Sequence, residues 1–104
     1  MRVLKFQVDG QVVKRSPGCD FDNITRGTKR YLKLQFSLSK DWAGCVVAAT
    51  FWNYEKAVCA VQVKNGMCAV PDEVTDNRRI KVSLTGKRAD AKIVTNKIVI
   101  RQEG

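Results

Sequence analysis

Apolar and polar side chains alternate with a period of two along most of the chain. Leu4, Phe6 and Val8 alternate with Lys5, Gln7 and Asp9, which predicts a strand with one buried face. Asp9-Gly10 follows and Gln11-Val12-Val13 resumes the extended pattern, so a hairpin with Asp9-Gly10 as a type I′ turn is expected. The clearest run sets Leu32, Leu34, Phe36 and Leu38 against Lys33, Gln35 and Ser37. It ends in the corner Lys40-Asp41-Trp42-Ala43-Gly44, where Trp42 is expected to fold back over one end of the core, because a large ring gains most by burial. Cys45 to Trp52 is almost wholly apolar or small, the pattern of a strand covered on both faces. Its Val and Thr residues argue against a helix.

The second half reads the same way. Asn53 to Lys56 is a turn and Ala57 to Lys64 a strand. Asn65-Gly66 is a second hairpin signal, with Met67 to Val70 returning along that strand. Pro71-Asp72-Glu73-Val74 predicts one short helical turn, with proline first and acids at the positive dipole end. No longer helix is expected. Ile80, Val82 and Leu84 alternate with Lys81, Ser83 and Thr85. Gly86 to Ala91 reads as a polar turn, and Ile93 to Arg101 as a last strand with Ile98 and Ile100 facing inward.

Residues 16–30 break the rhythm. Ser16-Pro17-Gly18, Asp20, Asp22, Asn23 and Gly27 predict a long loop or arm, and loops of this length are often functional. Its deletion over 16–28 is expected to leave the domain folded. Seven or eight short strands with turns at spacings of about ten residues predict one all-β domain over residues 1–104, a β-sandwich or small barrel.

Charge adds one feature. Nineteen Lys and Arg oppose ten Asp and Glu, a net +9, and there is no histidine. Such a field attracts anionic partners. The charge is spread out, at +4 over residues 1–30, +1 over 31–60 and +4 over 61–104, which is also how a solvated surface reads. Cys19, Cys45, Cys59 and Cys68 form no C-x-x-C pair and have no histidine beside them, so no zinc site is expected. They read as reduced, structural thiols. Met1 to Gly10 has no apolar signal-peptide core, and no stretch approaches the ~18 apolar residues of a membrane span.

The missing histidine excludes Ser-His-Asp and Cys-His catalysis, and no phosphate-binding loop surrounds Gly86-Lys87. Asp20 and Asp22 read as turn formers rather than a carboxylate pair. Neither a catalytic site nor a cofactor is expected. Two groups remain as candidate interface residues. Arg26, Lys29, Arg30, Tyr31 and Lys33 combine charge with a ring, as a nucleic-acid reader does, although lysines that blunt a strand edge give the same pattern. Trp52 and Tyr54 stand near a hairpin tip, Trp52 expected in the core and Tyr54 exposed.

In succession, Tyr31 to Ser37 leading into Lys40-Asp41-Trp42-Ala43-Gly44, then Ala49-Thr50-Phe51, Cys68-Ala69-Val70-Pro71, a strand ending at Gly86, and Ile93-Val94-Thr95-Asn96-Lys97-Ile98 form a pattern over roughly residues 30–104. It resembles the small immunoglobulin-like domains of tailed bacteriophages. These occur at the N-termini of baseplate and tail-fibre proteins and as stand-alone virion proteins. The resemblance implies a single immunoglobulin-like β-sandwich of seven to eight antiparallel strands. It also implies a structural protein without enzyme activity, present in several copies, docked onto other virion proteins and assembled in the bacterial cytoplasm, where thiols stay reduced. The long basic loop and high charge depart from the pattern, so a capsid-associated role stands beside the baseplate or tail one. The loop at 16–30 is the candidate contact element, and deleting 16–28 is expected to leave the domain folded but to abolish incorporation into particles. Two other readings remain: a nucleic-acid-binding module on the basic surface, and a carbohydrate-binding module using Trp52 and Tyr54 as a stacking platform.

Overall fold

A computed structural model describes all residues, 1–104. The chain is all-β and its strands form two sheets. The strands are β1 (Arg2–Asp9), β2 (Val12–Arg15), β3 (Leu32–Leu38), β4 (Val46–Asn53), β5 (Lys56–Val63), β6 (Met67–Ala69), β7 (Arg79–Arg88), β8 (Ala91–Val94) and β9 (Ile98–Arg101). The first sheet has the order β2-β1-β3-β6. The second has the order β5-β4-β7-β8, with β9 also pairing β7. Short 3₁₀ turns stand at Lys40–Trp42 and Asp72–Val74, and there is no longer helix.

The alternation read from the sequence defines the core. Leu4, Phe6 and Val8 on β1 and Leu32, Leu34 and Phe36 on β3 face Val47, Ala49 and Phe51 on β4 and Ile80, Val82 and Leu84 on β7. Ile100 is buried with them, and Ile98 packs against the cluster half-buried. Trp42 closes one end. It is buried, its Nε1 donates to the Gly10 carbonyl at 2.9 Å, and its ring lies against Gly86.

Several expectations are corrected. There are nine strands, and they are not all antiparallel: β1 and β3 run parallel over their full register, Arg2 opposite Leu32 to Val8 opposite Leu38. The first hairpin turns at Gly10-Gln11, because Asp9 still pairs with Val12, and only Gly10 of the two has positive φ. The Asn65-Gly66 turn has positive φ at both residues, as a type I′ turn requires. Its second arm does not return along β5, however. Apart from the bridge between Lys64 and Met67, β6 pairs with β3 in the other sheet. Only glycine fits the turn's second position, since a Cβ at Gly66 would stand 2.8 Å from the Phe36 carbonyl oxygen.

β4 is not covered on both faces. Val47, Ala49 and Phe51 are buried, while Ala48, Thr50 and Trp52 on its other face are half-buried and Val46 is 64% exposed. Gly86 to Arg88 continue β7, and the turn is confined to Ala89-Asp90 between paired Arg88 and Ala91. The expected last strand is two, interrupted at residues 95–97. That interruption ties the sheets together. Thr95 exchanges hydrogen bonds with the Leu84 backbone of β7, its N–H donating at 3.0 Å and its Oγ1 accepting at 2.8 Å. Asn96 pairs its side-chain amide with Val13 of β2, Oδ1 accepting at 2.7 Å and Nδ2 donating at 3.2 Å.

Residues 16–30 are a loop, but not a free arm. Ile24 is buried, and the Phe21 ring meets Phe6 edge-on at 5.3 Å between centroids. The Arg2 guanidinium donates to the carbonyls of Asp20, Asp22 and Asn23. Deleting 16–28 would remove Phe21 and Ile24 and uncover the core beside Phe6, which argues against the expectation that the domain folds without it.

Candidate functional site: a basic cleft and an open sheet face

Three segments distant in sequence converge at the end of the domain where β7 begins. Arg26 comes from the loop, Asn53 and Tyr54 from the β4–β5 turn, and Asp76, Asn77 and Arg78 from the turn before β7. Arg79 and Lys81 are the first outward residues of that strand. Together they line a cleft of about 420 Å³. The C-terminal segment ties two of these walls together, the Arg26 loop and the turn before β7. Arg26 N–H donates to the Glu103 carbonyl at 2.8 Å, and Gln102 N–H donates to the Arg78 carbonyl at 2.7 Å. The buried Gln102 amide donates from Nε2 to the carbonyls of Thr75 at 3.0 Å and Asn77 at 2.7 Å. Buried amides that satisfy backbone carbonyls hold turns in one geometry.

The cations of the cleft differ in how they are used. Lys81 lies 4.0 Å from Glu55 and reaches the Tyr54 carbonyl at 3.5 Å. Arg26, Arg78 and Arg79 have no salt bridge, and their side chains make no hydrogen bond. Arg79 stands directly opposite Arg101 on β9, and like charges placed so oppose sheet pairing. Asp76, the one acid of the lining, is engaged by Lys29 at 3.2 Å. Tyr54 is 81% exposed and adopts φ 56° at its turn, an uncommon conformation for a bulky residue.

The six sequence candidates do not form one surface. Arg26 and Tyr54 meet in the cleft. Lys29 is tied down: its ammonium donates to the Asp72 carbonyl, Thr75 Oγ1 and Asp76 Oδ2. Arg30 is exposed at the mouth of a shallow groove with Met1, Lys33 and Pro71, and Tyr31 is 45% exposed. Trp52 is not in the core. It lies on the outer face of the second sheet, where Nε1 donates to the buried Ser83 hydroxyl at 3.0 Å and the Lys97 ammonium sits 4.0 Å from the ring centre. That ammonium occupies one ring face, so Trp52 and Tyr54 do not make an open stacking platform. Sequence reasoning missed Asn53, Asn77, Arg78 and Arg79. The adjacent Arg78-Arg79 pair at the head of an apolar strand was the available signal.

The outer face of the second sheet is a separate feature. Register places Val46, Lys87 and Lys92 in one row, Ala48, Gln62, Thr85 and Val94 in the next, and Thr50, Ala60 and Ser83 in a third. The centre is flat because its side chains are small. Val46 and Val94, at 64% and 42% exposed, stand above it with lysines at the margin. No three His, Cys, Asp or Glu side chains are grouped so as to hold a metal ion. All four cysteines are free thiols. Burial pushes the Cys68 thiol up to about 12, and burial followed by the Glu73 charge raises that of Cys59. In comparison with known proteins, no family model, no curated protein and no solved structure matches the chain.

Proposed function

We propose that the chain is an immunoglobulin-like structural component of a tailed-bacteriophage particle, one that docks onto a different virion subunit through the outer face of its second sheet. The single observation that carries the docking reading is the open face of Val46, Ala48, Thr50, Ala60, Thr85 and Val94. A flat patch of small and β-branched side chains lets a second surface approach closely, and burial of its valines, alanines and threonine methyls supplies the association energy. The margin decides the partner. Lys87 and Lys92 stand beside the patch with no carboxylate paired to them, so a neighbour with acids around an apolar centre fits. A partner with this chain's own basic margin fits less well.

Two of the pieces that carry the phage resemblance support the immunoglobulin-like part of the reading. Trp42 packed on Gly86 closes the core, and Thr95-Asn96 ties the two sheets. The likeness thus falls on residues that build the domain, which is what a shared fold requires.

The test is incorporation into particles. During propagation of the phage whose genome carries the gene, tagged chain is expressed and gradient-purified particles are analysed by quantitative mass spectrometry. Wild-type chain is expected at a fixed copy number. Val46→Asp with Val94→Asp, at two exposed positions, is expected to keep its melting temperature and leave the particle. Wild-type chain missing from particles, or the double variant retained at the wild-type level, refutes the proposal.

A further inference from the structure

We infer that the cleft beside Tyr54 binds single-stranded nucleic acid, with Arg26, Arg78 and Arg79 on successive phosphates and the Tyr54 ring stacked on a base. This inference stands independently of the virion reading, because it rests on a different surface.

The first argument is unspent charge. Three arginines without a salt bridge or side-chain hydrogen bond line one concavity, and its one acid is taken up by Lys29. Guanidinium groups have planar forks of donors that match phosphate oxygens. The Arg79–Arg101 pairing is the second argument, since a sheet with no use for these charges gains nothing by placing them opposite each other.

The third argument selects the ligand. A carboxylate-rich peptide would be held by the arginines alone. This cleft also holds a tyrosine 81% exposed, kept at positive φ beside the cations, together with the amides of Asn53 and Asn77. An exposed ring stacks on a base, and amides meet the polar edges of bases. A duplex hides its base faces within the stack, so a ring can engage them only in a single strand. At about 420 Å³ the cleft is of the size class of small-ligand sites, too small for a length of double helix.

The experiment uses the whole 104-residue chain and a labelled oligothymidylate of about 12 nucleotides, read by fluorescence anisotropy from ~50 to ~200 mM salt. Three phosphate contacts give a slope of log K against log salt of about −2, a roughly 20-fold loss over that range. Arg78→Gln and Arg79→Gln each shallow the slope by about 0.7. Tyr54→Asn, whose side chain tolerates the turn's positive φ, weakens binding about tenfold with the slope unchanged. Lys5→Gln with Lys14→Gln, on the other sheet, serves as a charge control and leaves the slope at its wild-type value. Melting temperatures of all variants confirm folding. Four results would each overturn the inference: undetectable binding, equal weakening by the control and the cleft variants, duplex binding as tight as single-strand binding, or polyglutamate competing equally well with no effect of Tyr54→Asn.

Discussion

Gly86→Ala adds a single methyl group where the fold leaves no room for one. The new Cβ would stand 2.7 Å from Trp42 Cε3 and Cζ3 and 3.3 Å from the Cys45 Cβ. Carbon atoms rest about 3.5–4.0 Å apart, so the indole must retreat by about 1 Å. It is not free to do so, being only 3% exposed and donating to the Gly10 carbonyl at 2.9 Å. Overpacking of this kind costs about 1–3 kcal/mol. A buried donor pulled from its acceptor costs about 1–3 kcal/mol more. Alanine opposes this by about 0.5–1 kcal/mol, because it loses less backbone freedom on folding than glycine. The net expectation is a loss of about 1–5 kcal/mol, with a mid-range value of about 3 kcal/mol. For a domain of this size, the mid-range value lowers the melting temperature by roughly 10–20 °C. Thermal unfolding followed by circular dichroism measures it. A double-mutant cycle with Trp42→Leu assigns the cause, since with the indole gone the added methyl should cost almost nothing. Gly86→Ala melting within ~2 °C of wild type, or the same cost in both backgrounds, refutes the packing account.

Two further outcomes are expected. Ile24→Ala should destabilise the domain by about 2–4 kcal/mol in urea unfolding, because Ile24 is the buried anchor of a loop pinned to the first sheet; a change below about 0.5 kcal/mol would mean that Ile24 does not anchor it. Stability should also fall as pH rises from the ordinary thiol value of 9.0 towards 12, because the folded state keeps the Cys68 proton over that window while the unfolded chain releases it. Cys68→Ala should flatten this part of the pH dependence in equilibrium unfolding, and an unchanged slope would show that Cys68 is not its source.

The core was legible because it depends on a local property. A period of two selects one face of a strand whatever lies opposite, so Leu4, Phe6 and Val8, Leu32 to Phe36, and Ile80 to Leu84 were read correctly from neighbours alone. Errors arose where the deciding contact is distant. Ala48, Thr50 and Trp52 read as a second buried face because small and aromatic residues resemble a core, but no element covers that side of β4. β6 follows a sound hairpin signal yet joins β3, a choice made by pairing across the domain. Phe21 and Ile24 are isolated apolar residues with no period, so nothing local announced that they anchor the loop. For the cleft, Arg26 and Tyr54 were singled out separately. That both line one cleft follows from distant contacts: Gln102 and Glu103 tie the Arg26 loop to the turn before β7, β4–β7 pairing brings the Tyr54 turn alongside, and no spacing rule encodes either.

One strand connects the two surfaces. The outward residues of β7 run Arg79, Lys81, Ser83, Thr85 and Lys87, with cations at both ends and small side chains between. The small middle follows from packing, since Ser83 lies under Trp52 and Thr85 lies beside Ala48. The ends are free to carry charge because nothing covers them. A neighbour seated on Val46 and Val94 would meet the Lys87 end of β7 and leave the Arg79 end open, because register places these rows at opposite ends of the strand. Docking and nucleic-acid binding therefore need not compete. Val46→Asp should leave oligonucleotide affinity within about twofold of wild type, since one added carboxylate at the far end of the strand is screened beyond the ~8–10 Å Debye length. A large loss of affinity in that variant would mean that the two surfaces are one.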